Sequence, residues 1–170
     1  METPVVSNAG PFMVLAKLNL LHLLQQMYDR VYYTQSVYGE VVQTGVRLGY
    51  QDAFTAQQFL RELNWNPTEL FTIPQELATL PLDLGEKESI ALALQLNGLL
   101  LIDEDRGRRV ARQLGIGVRG TLGVLVEAYR QNFISDGQLR LYFHQIITRS
   151  DIWISSSYAA ALLDSVLKEG

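Results

Sequence analysis

The feature that most constrains this chain is the stretch Asp83–Arg112, DLGEKESIALALQLNGLLLIDEDRGRRVAR. An acid-led helical segment from Glu86 to about Leu96 is closed by Asn97-Gly98. The apolar run Leu99–Ile102 follows, and Asp103-Glu104-Asp105 comes directly after it. A continuous apolar run between turn signals reads as a strand buried on both faces, and a helix feeding such a strand is half of a βαβ unit. Open parallel sheets place their ligands outside the carboxyl ends of their strands, which is where this chain puts its acids.

The rest of the chain repeats the alternation. Val5 and Val6 form a short apolar run stopped by Ser7-Asn8-Ala9-Gly10-Pro11, which predicts a first strand feeding a helix. Phe12, Leu15, Leu18, Leu21 and Leu24 recur at three-residue steps, as on one face of an amphipathic helix, interrupted near Asn19. Val31–Thr34 predicts a second strand, Gln35–Thr44 a helix with Glu40 at its middle, and Ala53–Leu63 another helix anchored by Phe54, Phe59 and Leu60. Phe71–Ile73 is expected as a minor strand, and Pro74 and Pro81 as the ends of a loop. Helices are expected over Arg106–Leu114 and Leu122–Gln131, with a short strand Gly117–Arg119 between them. Asp136–Ile147 and Ser155–Leu167 complete the chain as helices that close the fold or a dimer surface. The alternation implies an α/β class with a mostly parallel sheet, and 170 residues suit one domain, 1–170, with 135–170 as helices that complete it.

Several function classes are excluded or disfavoured. Without cysteine there is no disulfide framework and no thiolate metal site. No GxGxxG or GxxxxGK[ST] occurs, so neither a dinucleotide fingerprint nor a P-loop is supported. No apolar run reaches the ~18 residues of a membrane span and the N-terminus has no basic leader, so a cytoplasmic protein without membrane association is expected. A net charge of −4 argues against binding nucleic acid by bulk electrostatics. Locally, Arg106, Arg108, Arg109 and Arg112 follow the acids, and they either rim an acidic pocket or decorate an exposed helix face.

Asp103 stands at the end of a buried strand, and Asp105 points the same way if strand geometry persists. Glu86 lies one turn before Ile90, which must face the sheet. Carboxylates gathered at one edge repel each other, and a hard divalent cation, Mg²⁺ or Mn²⁺, removes that conflict. Each acid also has an ordinary structural use. Glu86 and Glu88 suit the first turn of any helix, Asp103–Asp105 suit a cap, and Glu40 suits an exposed helix. Ser155-Ser156-Ser157 reads as a helix cap, His22 and His144 as packed or surface residues, and Trp65 and Trp153 as loop-edge packing.

Five segments in order, VVSNAGPFMVLAKL, VYGEVV, LDLGEKESIALAL, LLIDEDRGRRVARQLGI and VRGTLGVLVEA, resemble the PIN-domain family, within it a prokaryotic branch close to the VapC-type toxins of toxin–antitoxin modules. The resemblance implies a three-layer α/β/α sandwich and metal-dependent hydrolysis of RNA. It places the family's acids at Asn8, Glu40, Glu86, and Asp103 with Asp105, and a site-bordering hydroxyl at Thr121. The expected metal ligands are therefore Asn8, Glu40, Glu86, Asp103 and Asp105, with the four acids as the catalytic set. Arg106 and Arg109 are expected to steer the phosphate backbone beside Thr121. Position 8 departs from the family, which usually has Asp there; an amide offers a carbonyl oxygen but no charge. The expected partners are RNA and a small antitoxin, in a homodimer. The competing expectation is a catalytically weak or inactive PIN-like module that binds RNA or a protein partner through the same cleft.

Overall fold

A computed structural model describes residues 2–170. Its contacts divide the chain after Gly120 into two compact units.

The first unit is built on four strands, β1 Val5–Ser7, β2 Val31–Tyr32, β3 Leu99–Leu101 and β4 Val118–Arg119. They lie in the order β2-β1-β3-β4, all parallel, with Val5 beside both Val31 and Leu99 and Leu100 beside Val118. Parallel strands must be covered on both faces, which is why β1 and β3 are almost wholly apolar. Alternation along β1 and β3 sends Val6, Leu100 and Ile102 to one face. There they pack with Ile90, Leu92 and Ala111 from the helices α7 Leu84–Leu96 and α8 Asp105–Gln113. Burying each of these large aliphatic side chains contributes about 1.5–3 kcal/mol. The connection from β1 to β2 runs through α1 Ala9–Lys17 and α2 His22–Tyr28. Right-handed crossovers to opposite edges of the sheet put these helices on the other face, which gives the helix–sheet–helix layering expected of the class.

Between β2 and α7 come α3 Gln35–Tyr38, a π-helical stretch Gly39–Gln43, α4 Thr44–Leu48, α5 Gln51–Glu62 and the single turn α6 Gln75–Ala78. Helix ends follow their sequence signals. Asn19, Asn64 and Asn97 take positive φ where helical segments stop, the left-handed conformation that asparagine tolerates. Asp83 and Glu86 form a reciprocal capping box at the start of α7.

The second unit holds α9 Thr121–Arg130, α10 Asp136–Thr148 and α11 Ser156–Lys168. Its middle helix packs on the other two, with Leu139, Phe143 and Ile146 buried. Ser135 forms a capping box with Gln138, and Ser155 accepts from the Tyr158 N–H, the capping role expected of the serine run. Arg130 and Glu169 pair at 3.1 Å, but both are more than half exposed, so the pair adds little stability.

Four expectations need correction. Phe71–Ile73 is not a strand. The Phe71 N–H donates to the Gln95 side chain at 3.0 Å and its ring is 79% exposed, so no neighbouring strand is available to pair with it. The segment between Pro74 and Pro81 is not all loop, because α6 forms directly after Pro74. Phe54 is exposed while Ala53, Ala56 and Leu60 supply the buried face of α5. Trp153 is 94% exposed and packs on nothing among the described residues, whereas Trp65 packs as expected, buried edge-on to Phe59 at 5.4 Å, with its carbonyl taken by the Tyr33 hydroxyl. Among the described residues, no helix is long and apolar enough to cross a membrane.

Candidate metal centre

The strand order fixes where a site belongs. From β1 the chain first goes to one side, to β2, and later returns to β1's other side, to β3. The reversal makes the carboxyl ends of β1 and β3 the topological switch point, where the sheet opens a crevice. The residues that follow those ends are Asn8 and, after Ile102, Asp103.

Asn8 closes the sheet there by donating its N–H to the Leu101 carbonyl at 2.9 Å, and it is the N-cap of α1. Its side chain does not cap that helix. Instead Oδ1 accepts a hydrogen bond from the Ser89 hydroxyl at 3.3 Å, and both side chains are buried. Ser89 is three residues beyond Glu86 on α7, so this bond ties the acid-bearing face of α7 to the end of β1.

Asp103 reaches over the start of α1. A Cβ built on Gly10 would stand 3.4 Å from Asp103 Oδ2, and one built on Gly120 would stand 3.0 Å from Asp103 Oδ1. Gly120 also faces the Arg108 guanidinium, whose Nη1 donates to the Ile102 carbonyl at 3.3 Å. A basic group and the Asp103 carboxylate therefore both crowd the space beside Gly120. Arg108 was not among the expected site residues, because the sequence offers four arginines in seven positions and nothing to rank them.

Glu86 is only 7% exposed. Its Oε2 accepts the Asp83 N–H at 2.9 Å, its own N–H donates to Asp83 Oδ1 at 2.7 Å, and its Oε1 faces Gly107 on α8, where a Cβ would stand 3.1 Å away. The capping box thus uses one carboxylate oxygen and leaves the other aimed at the start of α8. Burial raises the Glu86 pKa above the ordinary value, aided by the charges of Asp83 and Glu104, while the Asp83 backbone N–H and Arg106 pull it down.

Glu40 sits on the π-helical stretch, a local widening and underwinding of the helix that is frequent at functional sites. Its Oε1 rests against Gly85, so closely that any side chain at position 85 would collide with it. Partial burial raises the Glu40 pKa, and the negative charges of Asp83, Glu86 and Glu88 raise it further. Glu40 and Glu86 thus share one electrostatic environment although they are 46 positions apart in sequence.

The other expected site residues are placed differently. β3 ends at Leu101, so strand geometry does not carry through to Asp105. Asp105 is the first residue of α8 and is exposed. Arg106 donates to the Pro81 carbonyl at 2.9 Å, and Arg109 is exposed on α8. Thr121 opens α9 in the second unit. Ser89, Gly85 and Gly107 were missed. The capping-box spacing of Asp83 and Glu86 was a readable signal for the carboxylate that Gly107 faces, but contacts across 81 positions, as between Asn8 and Ser89, leave no local signature.

The donor set is all oxygen, suited to a hard cation. Two carboxylates whose charged forms are disfavoured by burial and by the negative charges beside them are also what a cation would relieve. Among the described residues no group of three or more acidic or histidine side chains is close enough to hold an ion. The fit is therefore one of donor chemistry, with the charge of Glu86 acting on Glu40 and the Asn8 side chain held by Ser89.

A family model described as a PIN domain matches residues 4–168. No curated protein and no solved structure matches the chain. The matched range takes in all four parallel strands, the switch-point residues and the second unit, and it makes the chain a nuclease-like module. With the all-parallel sheet, this match shows that the chain belongs to the PIN-domain family.

Proposed function

We propose that the chain is a Mg²⁺- or Mn²⁺-dependent endoribonuclease of PIN type and the toxin of a toxin–antitoxin pair, working as a cytoplasmic homodimer. The observation that supports it most is the approach of Glu40 and Glu86, from separate segments, to one charge environment beside the switch point. Glu40, Glu86, Asp103 and Asp105 would hold the ion, with Asn8 as an uncharged ligand. The bound cation would supply a water of lowered pKa and charge neutralisation at phosphorus. Asp103 orients its carboxylate along the start of α1, Glu86 keeps one oxygen free of its capping box, and Glu40 is braced by Gly85. Arg106 and Arg109, at the exposed start of α8, steer the phosphate backbone, and Thr121 borders the substrate. The family match spans both compact units, which supports one functional domain over the whole chain.

The test is incubation of the purified protein with RNA and Mn²⁺. Cleavage is expected, EDTA should abolish it, and Asp103→Asn should lower the rate by about 10²-fold, the usual loss when one group that stabilises transition-state charge is removed. Cleavage at equal rate in the variant removes Asp103 from the mechanism. For the toxin role, expression of the chain alone should arrest growth, and co-expression of a short neighbouring reading frame should relieve the arrest.

A second reading is favoured by one observation, the Ser89 hydroxyl already occupying Asn8 Oδ1. In it the module binds RNA or a protein partner and cleaves weakly or not at all. Asn8→Asp separates the two, since a gain of both Mn²⁺ binding and cleavage marks the native chain as detuned.

A further inference from the structure

Beside Glu40 lies a groove of about 520 Å³ that no expected site residue other than Glu40 occupies. That volume is within the range of small-ligand pockets, roughly 300–1,000 Å³. One wall is a single polar stripe. Ser36, Glu40, Gln43, Thr44 and Arg47 recur at three- and four-residue steps along α3, the π-helical stretch and α4, so they share a face. The opposite wall is the start of α7, where Leu84 is 57% exposed.

The chemistry changes along the stripe. At one end Glu40 belongs to the acid cluster. Seven residues on, about 10 Å along a helix, Arg47 carries an exposed guanidinium. Between them the Gln43 amide folds back towards Gly39, whose Cβ would stand 3.5 Å from Gln43 Oε1. Neither the Arg47 guanidinium nor the Gln43 side-chain amide has a hydrogen-bond or ion-pair partner among the described residues. Arg47 is thus a cation left available, at the far end of a groove that begins at the candidate reaction centre. An ordinary solvated helix face would not be roofed by an exposed leucine from another helix.

A nucleotide unit needs a cation for its phosphate, a donor and acceptor pair for a base edge and an apolar surface for a base or ribose face, and Arg47, Gln43 and Leu84 supply them in that order. Such readout requires an unpaired base, since the edges of a paired one are taken by its partner. We propose that this groove binds the nucleotide next to the scissile phosphate of single-stranded RNA, with its phosphate on Arg47 and its base edge on Gln43. The assignment rests on the nuclease reading for the position of the scissile bond, but the binding itself does not require cleavage.

The probe is a fluorescein-labelled single-stranded RNA of about eight nucleotides, titrated in EDTA and followed by fluorescence anisotropy over a range of salt concentrations. Arg47→Gln should weaken binding about tenfold, as loss of a charge-assisted hydrogen bond does. It should also flatten the dependence of log K on log salt by about 0.7, the share of one single-strand phosphate contact. Gln43→Ala should change the preference among RNAs that differ at one base. Arg61→Gln, on an exposed arginine of α5 outside the groove, should change affinity less than about twofold. Both arginines are exposed, and a thermal melt of each variant checks that it folds. Affinity and salt slope in Arg47→Gln equal to those of the native chain overturn the proposal, including the case in which the substitution costs only a protein partner. Absence of RNA binding by the native chain overturns it too. A chain that binds RNA through Arg47 yet fails to cleave with Mn²⁺ keeps the groove and loses the nuclease reading. One that cleaves with indifference to Arg47 does the reverse.

Discussion

Replacing Gly85 by alanine separates the positioning of Glu40 from the stability of the fold. Gly85 is the second residue of α7, and alanine is a better helix former than glycine by about 1 kcal/mol. The added Cβ would collide with Glu40 Oε1 and would also stand 3.4 Å from Asp83 Oδ1, an ordinary contact. What must move is therefore the far end of a flexible side chain, a cheap movement compared with shifting backbone. Stability should be unchanged or gain up to about 1 kcal/mol, which for a chain of this size is a rise in Tm of about 2–4 °C at most. Function should fare worse. Withdrawal of Glu40 takes a carboxylate from the Glu86 environment, and misplacement of a reacting group on the order of 1 Å costs about 10²-fold in rate. Calorimetric titration with Mn²⁺, RNA cleavage and a thermal melt on the same sample would show the pattern. Weakened Mn²⁺ binding and cleavage with Tm preserved is the expected result. Unchanged binding and cleavage would refute the idea that Gly85 braces Glu40 for the ion. A large fall in Tm would refute the premise that the carboxylate yields easily.

Other consequences are equally specific. Glu40 and Glu86 both titrate above their ordinary value of 4.5, so the metal-free folded state binds protons that the unfolded chain has released. Their contribution to stability is then present at low pH and is lost as pH rises above 4.5 through their folded values; urea denaturation of native chain and Glu40→Gln across pH should show a shallower decline in the variant. Adding Mn²⁺ near neutral pH should raise Tm in the native chain, because the ion binds the folded state alone, and this rise should shrink in Glu40→Gln. Ser89→Ala should cost about 1 kcal/mol in urea denaturation through the lost bond to Asn8; a neutral outcome would mean that the amide is held by other means. Ile90→Ala, at a fully buried position under the sheet, should cost about 2–5 kcal/mol.

The parts of the fold that were legible in sequence are those fixed by short-range chemistry. The run Leu99–Leu101 announces a buried parallel strand because it is apolar throughout and is bounded by Asn97 at φ 51° on one side and by acids on the other. The break at Asn19 and the cap at Ser155 were readable for the same reason. Phe71–Ile73 misled because apolar residues before a proline satisfy a local strand pattern, whereas a strand also needs a neighbour with free backbone groups, and here Gln95 takes the Phe71 N–H. The π-helical turn at Glu40 was invisible, since one extra residue per turn leaves the apolar positions Val37, Val41 and Val42 looking like an ordinary helix. In the candidate site, Glu86 and Asp103 stand out from their places at a helix start and after a strand, whereas Glu40, in the middle of a helical stretch, entered only through the family resemblance. What fixes their orientation could not be found in sequence: Gly85 under Glu40, Gly107 before Glu86 and Ser89 on Asn8 are approaches between distant segments, made possible by absent side chains in two cases and by a buried hydroxyl in the third.

The central claim is that Glu40, Glu86 and Asp103 share one divalent ion at the switch point of the sheet. Crystals grown with Mn²⁺ and measured for its anomalous scattering test it most directly. The account requires a peak bounded by carboxylate oxygens of Glu40, Glu86 and Asp103, at roughly the 2.0–2.2 Å expected for small hard cations, and its loss in Asp103→Asn. Crystals that show Mn²⁺ elsewhere on the chain, or no peak among these three acids, contradict it.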